Sequence, residues 1–161
     1  MDKKEFADRV HAMQERLYRL AYGQLREEQD RRDAVQEAIL KAWQSRERLR
    51  DEAYFETWLV RILINECHNI QRAGRRIFPV ERLPEQPYVE ENMEGSDEEL
   101  REAILALPMK LRLPVMLHYI EGYTTEEAGR ILHVPVGTVR SRLKKARELM
   151  KAELDGKEEN E

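Results

Sequence analysis

The stretch from Thr124 to Met150, Thr-Thr-Glu-Glu-Ala-Gly-Arg-Ile-Leu-His-Val-Pro-Val-Gly-Thr-Val-Arg-Ser-Arg-Leu-Lys-Lys-Ala-Arg-Glu-Leu-Met, permits little besides two helices around a tight turn. Thr124 and Glu127 have the spacing of a capping box, in which the threonine oxygen accepts from an early backbone N–H and the glutamate reaches back to the threonine's own N–H. A helix therefore starts there, with Ala128, Ile131 and Leu132 as its apolar side. His133-Val134-Pro135 ends it, because proline lacks an N–H and disfavours the helical conformation in the residue before it. A second helix begins near Val136 or Gly137. Within it Val139, Leu143, Ala146 and Met150 recur at helical spacing, forming one stripe that must face a core.

The arc opposite that stripe holds Arg140, Ser141, Lys144, Lys145, Arg147 and Lys151, with Glu148 as the single acid. Residues 136–151 carry +5 in a chain whose total is −4. A basic face on an acidic chain is a localised electrostatic footprint, the kind that nucleic acid selects. The arrangement is a helix-turn-helix, whose second helix enters the major groove by its N-terminal part. Arg140, Ser141, Lys144 and Lys145 are thus placed to reach base edges, and Arg147 and Lys151 suit phosphates. Arg142 projects beside the apolar stripe, toward a phosphate or an internal ion pair.

The chain has 161 residues, 41% of them hydrophobic, enough for one or two small domains. It contains no run near the roughly 18 apolar residues of a membrane span, and its first residues lack a signal peptide's apolar core. A soluble, cytoplasmic protein with no membrane insertion is expected. The single cysteine, Cys67, excludes an internal disulfide and a thiolate-rich metal cage and reads as a small buried hydrophobe. No glycine loop for a nucleotide, no metal-ligand spacing and no nucleophile with its base is present, so no cofactor, no metal and no enzymatic activity is expected.

Glycine is scarce and the apolar periodicity is helical almost throughout, which predicts an all-α fold. Composition breaks at about 79–99, where Pro79, Pro84, Pro87, Gly95 and Ser96 accompany a local charge of −7. The stretches on either side, 1–78 and 100–161, carry +2 and +1. Two small helical domains joined by a flexible acidic linker is the resulting architecture, with the second domain over 100–155 and a disordered tail over 156–161.

The first domain opens with Phe6, Val10, Met13, Leu17 and Leu20 at helical spacing, followed by a polar stretch near 26–32. A second helix is expected from Asp33 to Arg46, burying Val35, Ala38, Ile39 and Ala42. Asp33, Glu37, Leu40 and Lys41 share its outer side, with Gln36 and Trp43 on the flank, a pattern that suits a partner interface rimmed by charge. A third helix, about Tyr54 to Ala73, buries Phe55, Leu59, Ile62, Leu63 and Ile70. Arg61, Asn65, His68 and Arg72 align along its edge, with Trp58 beside them and Arg75 and Arg76 beyond. Arginines and amides next to an aromatic suit a single strand whose bases are stacked or flipped into pockets.

Three segments, Asp33 to Trp43, Phe55 to Asn65 and Pro135 to Leu143, in that order and with an acidic linker before the third, closely resemble a bacterial RNA polymerase sigma factor of the extracytoplasmic function (ECF) group, within the sigma-70 family. The resemblance covers nearly the whole chain. It implies that residues 1–78 are the region that binds core polymerase and melts the −10 element, and that 100–155 are the region that reads the −35 element. Asp33, Gln36, Glu37, Leu40, Lys41 and Trp43 would then dock on the coiled coil of the polymerase β′ subunit, with the β flap as a second contact. The loop from about Gln44 to Tyr54 would capture a flipped −10 base, Asn65 and Trp58 would border its pocket, and Arg61, Arg72, Arg75 and Arg76 would hold strand phosphates. Arg140, Ser141, Lys144 and Lys145 match the family's positions for reading the −35 element, and Thr138, Arg142 and Arg147 are expected to join them in binding it. Promoter DNA, core RNA polymerase and an anti-sigma factor are the partners implied.

Two residues depart from the family's pattern: Gly129 stands where alanine is usual, and His133 stands where the turn usually has glycine. The first costs up to roughly 1 kcal/mol of helix propensity, and histidine tolerates a left-handed turn better than most residues. The alternative function is a helix-turn-helix regulator that never joins polymerase. It leaves the Asp33 to Trp43 surface and the Arg61, Asn65, Arg72 edge without a purpose.

Overall fold

A computed structural model describes residues 1–77 and 98–159, leaving out the side chains of 75–77 and 157–159. The chain divides into two compact units, Met1–Tyr88 and Val89–Glu161.

Three α-helices build the first unit: α1 (Lys3–Tyr22), α2 (Glu28–Gln44) and α3 (Phe55–Ile77), with single 3₁₀ turns at Arg46–Arg48 and Glu52–Tyr54 between the last two. Asp2 caps α1 by accepting the Glu5 N–H at 2.8 Å. Phe6, Val10, Met13, Leu17 and Leu20 face Val35, Ala38 and Ala42 of α2 and Phe55, Leu59, Leu63 and Cys67 of α3, all buried. Ala34, Ala38 and Ala42 at intervals of four leave α2 a flat buried stripe, which allows close approach. Each fully enclosed leucine is worth about 1.5–3 kcal/mol of burial. Ile39, Ile62 and Ile70 sit at the margin of this core, half-buried.

Helix α2 starts at Glu28, before the Asp33 start that apolar periodicity suggests. Polar contacts carry the extra turn. Glu28 pairs with Arg32 at 2.7 Å, and Gln29 donates to Asp33 at 2.8 Å, one turn apart. Arg31 is buried: its Nε donates to the Leu25 carbonyl at 2.8 Å, its Nη2 to that of Arg26 at 2.9 Å, and its guanidinium lies 4.4 Å from the Tyr22 ring centroid. A residue inside a polar stretch is thus the peg of the α1–α2 corner.

The second unit comprises α4 (Glu98–Ala106), α5 (Met109–Val115), α6 (Thr125–Leu132) and α7 (Val136–Glu159), with a π turn at Met116–Ile120 continuing α5. Pro114 lies within α5, where its ring and missing N–H disturb the regular ladder. The widened turn follows, and the Glu121 N–H reaches back to the Met116 carbonyl at 3.0 Å. Arg112 donates to the carbonyls of Leu105 at 2.7 Å and Leu107 at 2.8 Å, closing the α4–α5 corner. Ile104, Leu107, Val115, Leu117, Ile131, Val139, Leu143 and Ala146 are among the buried residues of its core.

The described residues form helices, turns and short irregular connections and contain no strand, in accord with the all-α expectation. Of the expected linker, only Glu98 and Glu99 are described, and they open α4; the rest lies outside the described residues. Helix α7 continues to Glu159, into the expected tail, whose last two residues lie outside the described residues. Among the described residues no helix is long and apolar enough to cross a membrane.

Candidate nucleic-acid interface

In the second unit the capping box forms as its spacing requires. Glu127 N–H donates to Thr124 Oγ1 and Thr124 N–H to Glu127 Oε1, each at 3.0 Å. At the other end of α6, His133 is left-handed (φ 56°, ψ 46°), and the Val134 N–H closes on the Gly129 carbonyl at 3.0 Å. Gly129 fits tightly here: a Cβ at this position would lie 2.9 Å from the Val134 carbonyl oxygen and 3.7 Å from a methyl of Val139. The turn thus holds α6 directly against the first turn of α7.

With Val139, Leu143 and Ala146 buried, the exposed face of α7 carries Arg140, Ser141, Lys144, Lys145 and Arg147. Thr138 and Arg142 flank it, half-buried. Arg140 Nη2 lies 3.4 Å from Glu126 Oε1 on α6. Ser141 Oγ donates to the Thr138 carbonyl at 3.0 Å, a local bond that an exposed hydroxyl exchanges readily for another acceptor. Arg147 Nη1 donates to the Tyr119 hydroxyl at 2.7 Å, tying α7 to the π turn. Tyr119 is 53% exposed, and periodicity gives no sign of it because the π turn breaks the helical register.

On the first unit, Asp33, Gln36, Glu37 and Leu40 stand exposed along α2, with Leu40 48% accessible among charges. The two other residues expected on this surface are engaged. Lys41 Nζ pairs with the buried carboxylate of Glu66 on α3, which raises the lysine pKa above its ordinary value chiefly through that hydrogen bond. Trp43 is half-buried, edge-on to Phe6 at 5.1 Å, with the Arg46 guanidinium stacked 3.7 Å from its centroid.

The loop between α2 and α3 is anchored. Asp51 caps its second turn by accepting the Ala53 N–H at 3.0 Å. Arg9 donates to the Glu52 carbonyl at 3.1 Å and meets the Glu52 carboxylate at 3.3 Å. Tyr54 ends the loop and is 47% exposed. Asn65, His68 and Arg72 form an exposed edge on α3, and Trp58 is half-buried 6.1 Å from Phe55. Arg61 is half-buried beside them. Its Nη1 is enclosed with no acceptor among the described residues, and desolvation lowers its pKa from the usual arginine value. The side chains of Arg75 and Arg76 lie outside the described residues. Cys67 is buried, and its thiol is pushed up to about 12, first by desolvation and then by the Glu66 charge, which suits a packing role.

The model of Sigma-70 region 2 matches residues 9–77, and that of Sigma-70, region 4 matches residues 97–150. The chain is 35% identical to the ECF RNA polymerase sigma-E factor of Escherichia coli K12, over 72% of this chain and 69% of that one. The chain belongs to the ECF sigma factors of the sigma-70 family. This sigma factor is also 28% identical to ECF RNA polymerase sigma factor SigW of Bacillus subtilis, over 95% of its own length and 90% of the relative's. Its fold resembles that of the sigma factor RpoE solved with the anti-sigma factor NepR from Bartonella quintana (TM-score 0.79, 23% identity, 94% and 98% of the two chains). It likewise resembles CnrH in complex with the cytosolic domain of CnrY (TM-score 0.72, 21% identity, 96% and 90%).

Proposed function

We propose that this sigma factor joins core RNA polymerase in the cytoplasm, reads the −35 and −10 promoter elements and directs transcription initiation while contributing no covalent chemistry itself. The observation that carries this reading is the one-sided basic face of α7, held by a capped α6 and a tight turn in a chain of net charge −4. Arg140, Ser141, Lys144 and Lys145 take the −35 base edges, and Thr138, Arg142 and Arg147 the flanking backbone. Arg147 reaches a phosphate by leaving or sharing its bond to Tyr119.

The −10 strand runs along the α3 edge, with Asn65 and Trp58 at the pocket of a flipped base and the α2–α3 loop above it. Unstacking that base costs a few kcal/mol, which these contacts offset. Arg61, half-buried at this edge, takes a strand phosphate by swinging its guanidinium out from the position in which its Nη1 is enclosed. Arg72, Arg75 and Arg76 extend the phosphate track.

Docking on the polymerase β′ coiled coil centres on Leu40, rimmed by Asp33, Gln36 and Glu37. Lys41 and Trp43 support that surface from the side, and the β flap receives the second unit. Restraint by an anti-sigma factor is part of the proposal, supported by the partners named for RpoE and CnrH. Co-elution with purified core polymerase tests the central step. The parent chain is expected to co-elute, and Leu40→Asp to weaken binding at least roughly tenfold with unchanged thermal stability. Failure of the parent chain to bind core polymerase would overturn the reading.

A further inference from the structure

Among the exposed cations of α7, Arg140 has a carboxylate beside it. Glu126 stands on the first turn of α6 but takes no part in the capping box, which uses Glu127. Its carboxylate accepts from the Thr125 hydroxyl at 3.2 Å through one oxygen and meets Arg140 Nη2 at 3.4 Å through the other. Its own backbone N–H and then the Thr125 hydroxyl hold its pKa below the usual carboxylate value, against desolvation, with the Arg140 charge a lesser contribution, so it stays ionised at neutral pH.

Both side chains are more than half exposed, so the pair adds little to stability. A carboxylate on the edge that faces DNA also opposes the phosphates and lowers affinity for any sequence. What such a group does supply is direction. A guanidinium has a rigid fork of donors, and engaging one edge leaves the other for a bidentate contact to the O6 and N7 of guanine.

We propose that Glu126 is a positioning residue that orients Arg140 and thereby sets base discrimination at the −35 base pair Arg140 reads, at some expense of overall affinity. This rests on the assignment of Arg140 to the −35 element.

The test is run-off transcription by core polymerase with the full chain on a cognate promoter and on its −35 single-base variants. Arg140→Ala, Glu126→Gln and the double variant are compared with the parent. Arg140→Ala identifies the base pair by losing its preference there. Glu126→Gln is expected to reduce preference at that same base pair about fivefold, by raising transcription from the mismatched promoters, and to add nothing in the Arg140→Ala background. A Glu126→Gln profile that keeps the parent's preference, or falls equally on all promoters, overturns the role of Glu126 while leaving that of Arg140 intact. An Arg140→Ala profile identical to the parent's overturns both.

Discussion

A methyl group at position 129 would press on the carbonyl oxygen of Val134 at 2.9 Å, and that oxygen belongs to backbone held in place by the turn. The helix-propensity loss of roughly 1 kcal/mol at this glycine is therefore offset by packing. Gly129→Ala regains the propensity but sets its Cβ against a backbone oxygen that cannot yield cheaply, and is expected to be destabilising by about 1 kcal/mol net. Gly129→Val adds two more methyls where none fits and is expected to cost about 2–3 kcal/mol in urea unfolding and to weaken promoter binding with it. A neutral valine variant would show that the turn is looser than its geometry. Propensity alone could not reveal this, because the contact lies across the turn. His133 was more legible: the residue before Val134-Pro135 had to leave the helix, and it does so in the left-handed region. The exposed hydroxyl of Tyr119 and its bond to Arg147 were not legible, since they depend on a π turn that no helical period encodes.

At the scale of the element, the informative contact is Lys41 on α2 with Glu66 on α3. Spacing placed Lys41 on the outer side of α2 and gave no reason to connect it to a glutamate 25 positions away. The pairing exists because α2 and α3 lie close, over a stripe of alanines. Lys41→Met leaves the buried Glu66 carboxylate without its partner, at an expected cost of about 1–3 kcal/mol. The lysine pKa is raised in the folded state, so its contribution is fully present below the ordinary lysine value and is lost as pH rises through the folded value. The stability gap between parent and Lys41→Met is thus expected to stay constant from about pH 7 to about pH 9 and to narrow above the lysine range. A gap already closing near neutrality would contradict the pairing. The early start of α2 has a more local origin, in polar pairs one turn apart and in Arg31, which anchors the corner through the carbonyls of Leu25 and Arg26, contacts that apolar periodicity does not register.

For the whole molecule, the readable features were the ones with a period or a local bond: the helices, their apolar stripes, the capping box and the basic face of α7. Less readable was which surface residues are already engaged, as Lys41, Trp43, Arg140 and Arg147 are, by Glu66, Phe6, Glu126 and Tyr119 respectively, each distant in sequence. The central claim concerns both units at once, since a sigma factor must use its −35 and −10 surfaces on one promoter. Run-off transcription measures that most directly, with bacterial core polymerase, a fragment carrying the gene's own upstream region, and the chain added or withheld. A discrete transcript that depends on the chain, and is lost on Asn65→Ala and on Arg140→Ala, is the result this account predicts. No transcript, together with specific binding of the chain alone to the same duplex, would contradict it.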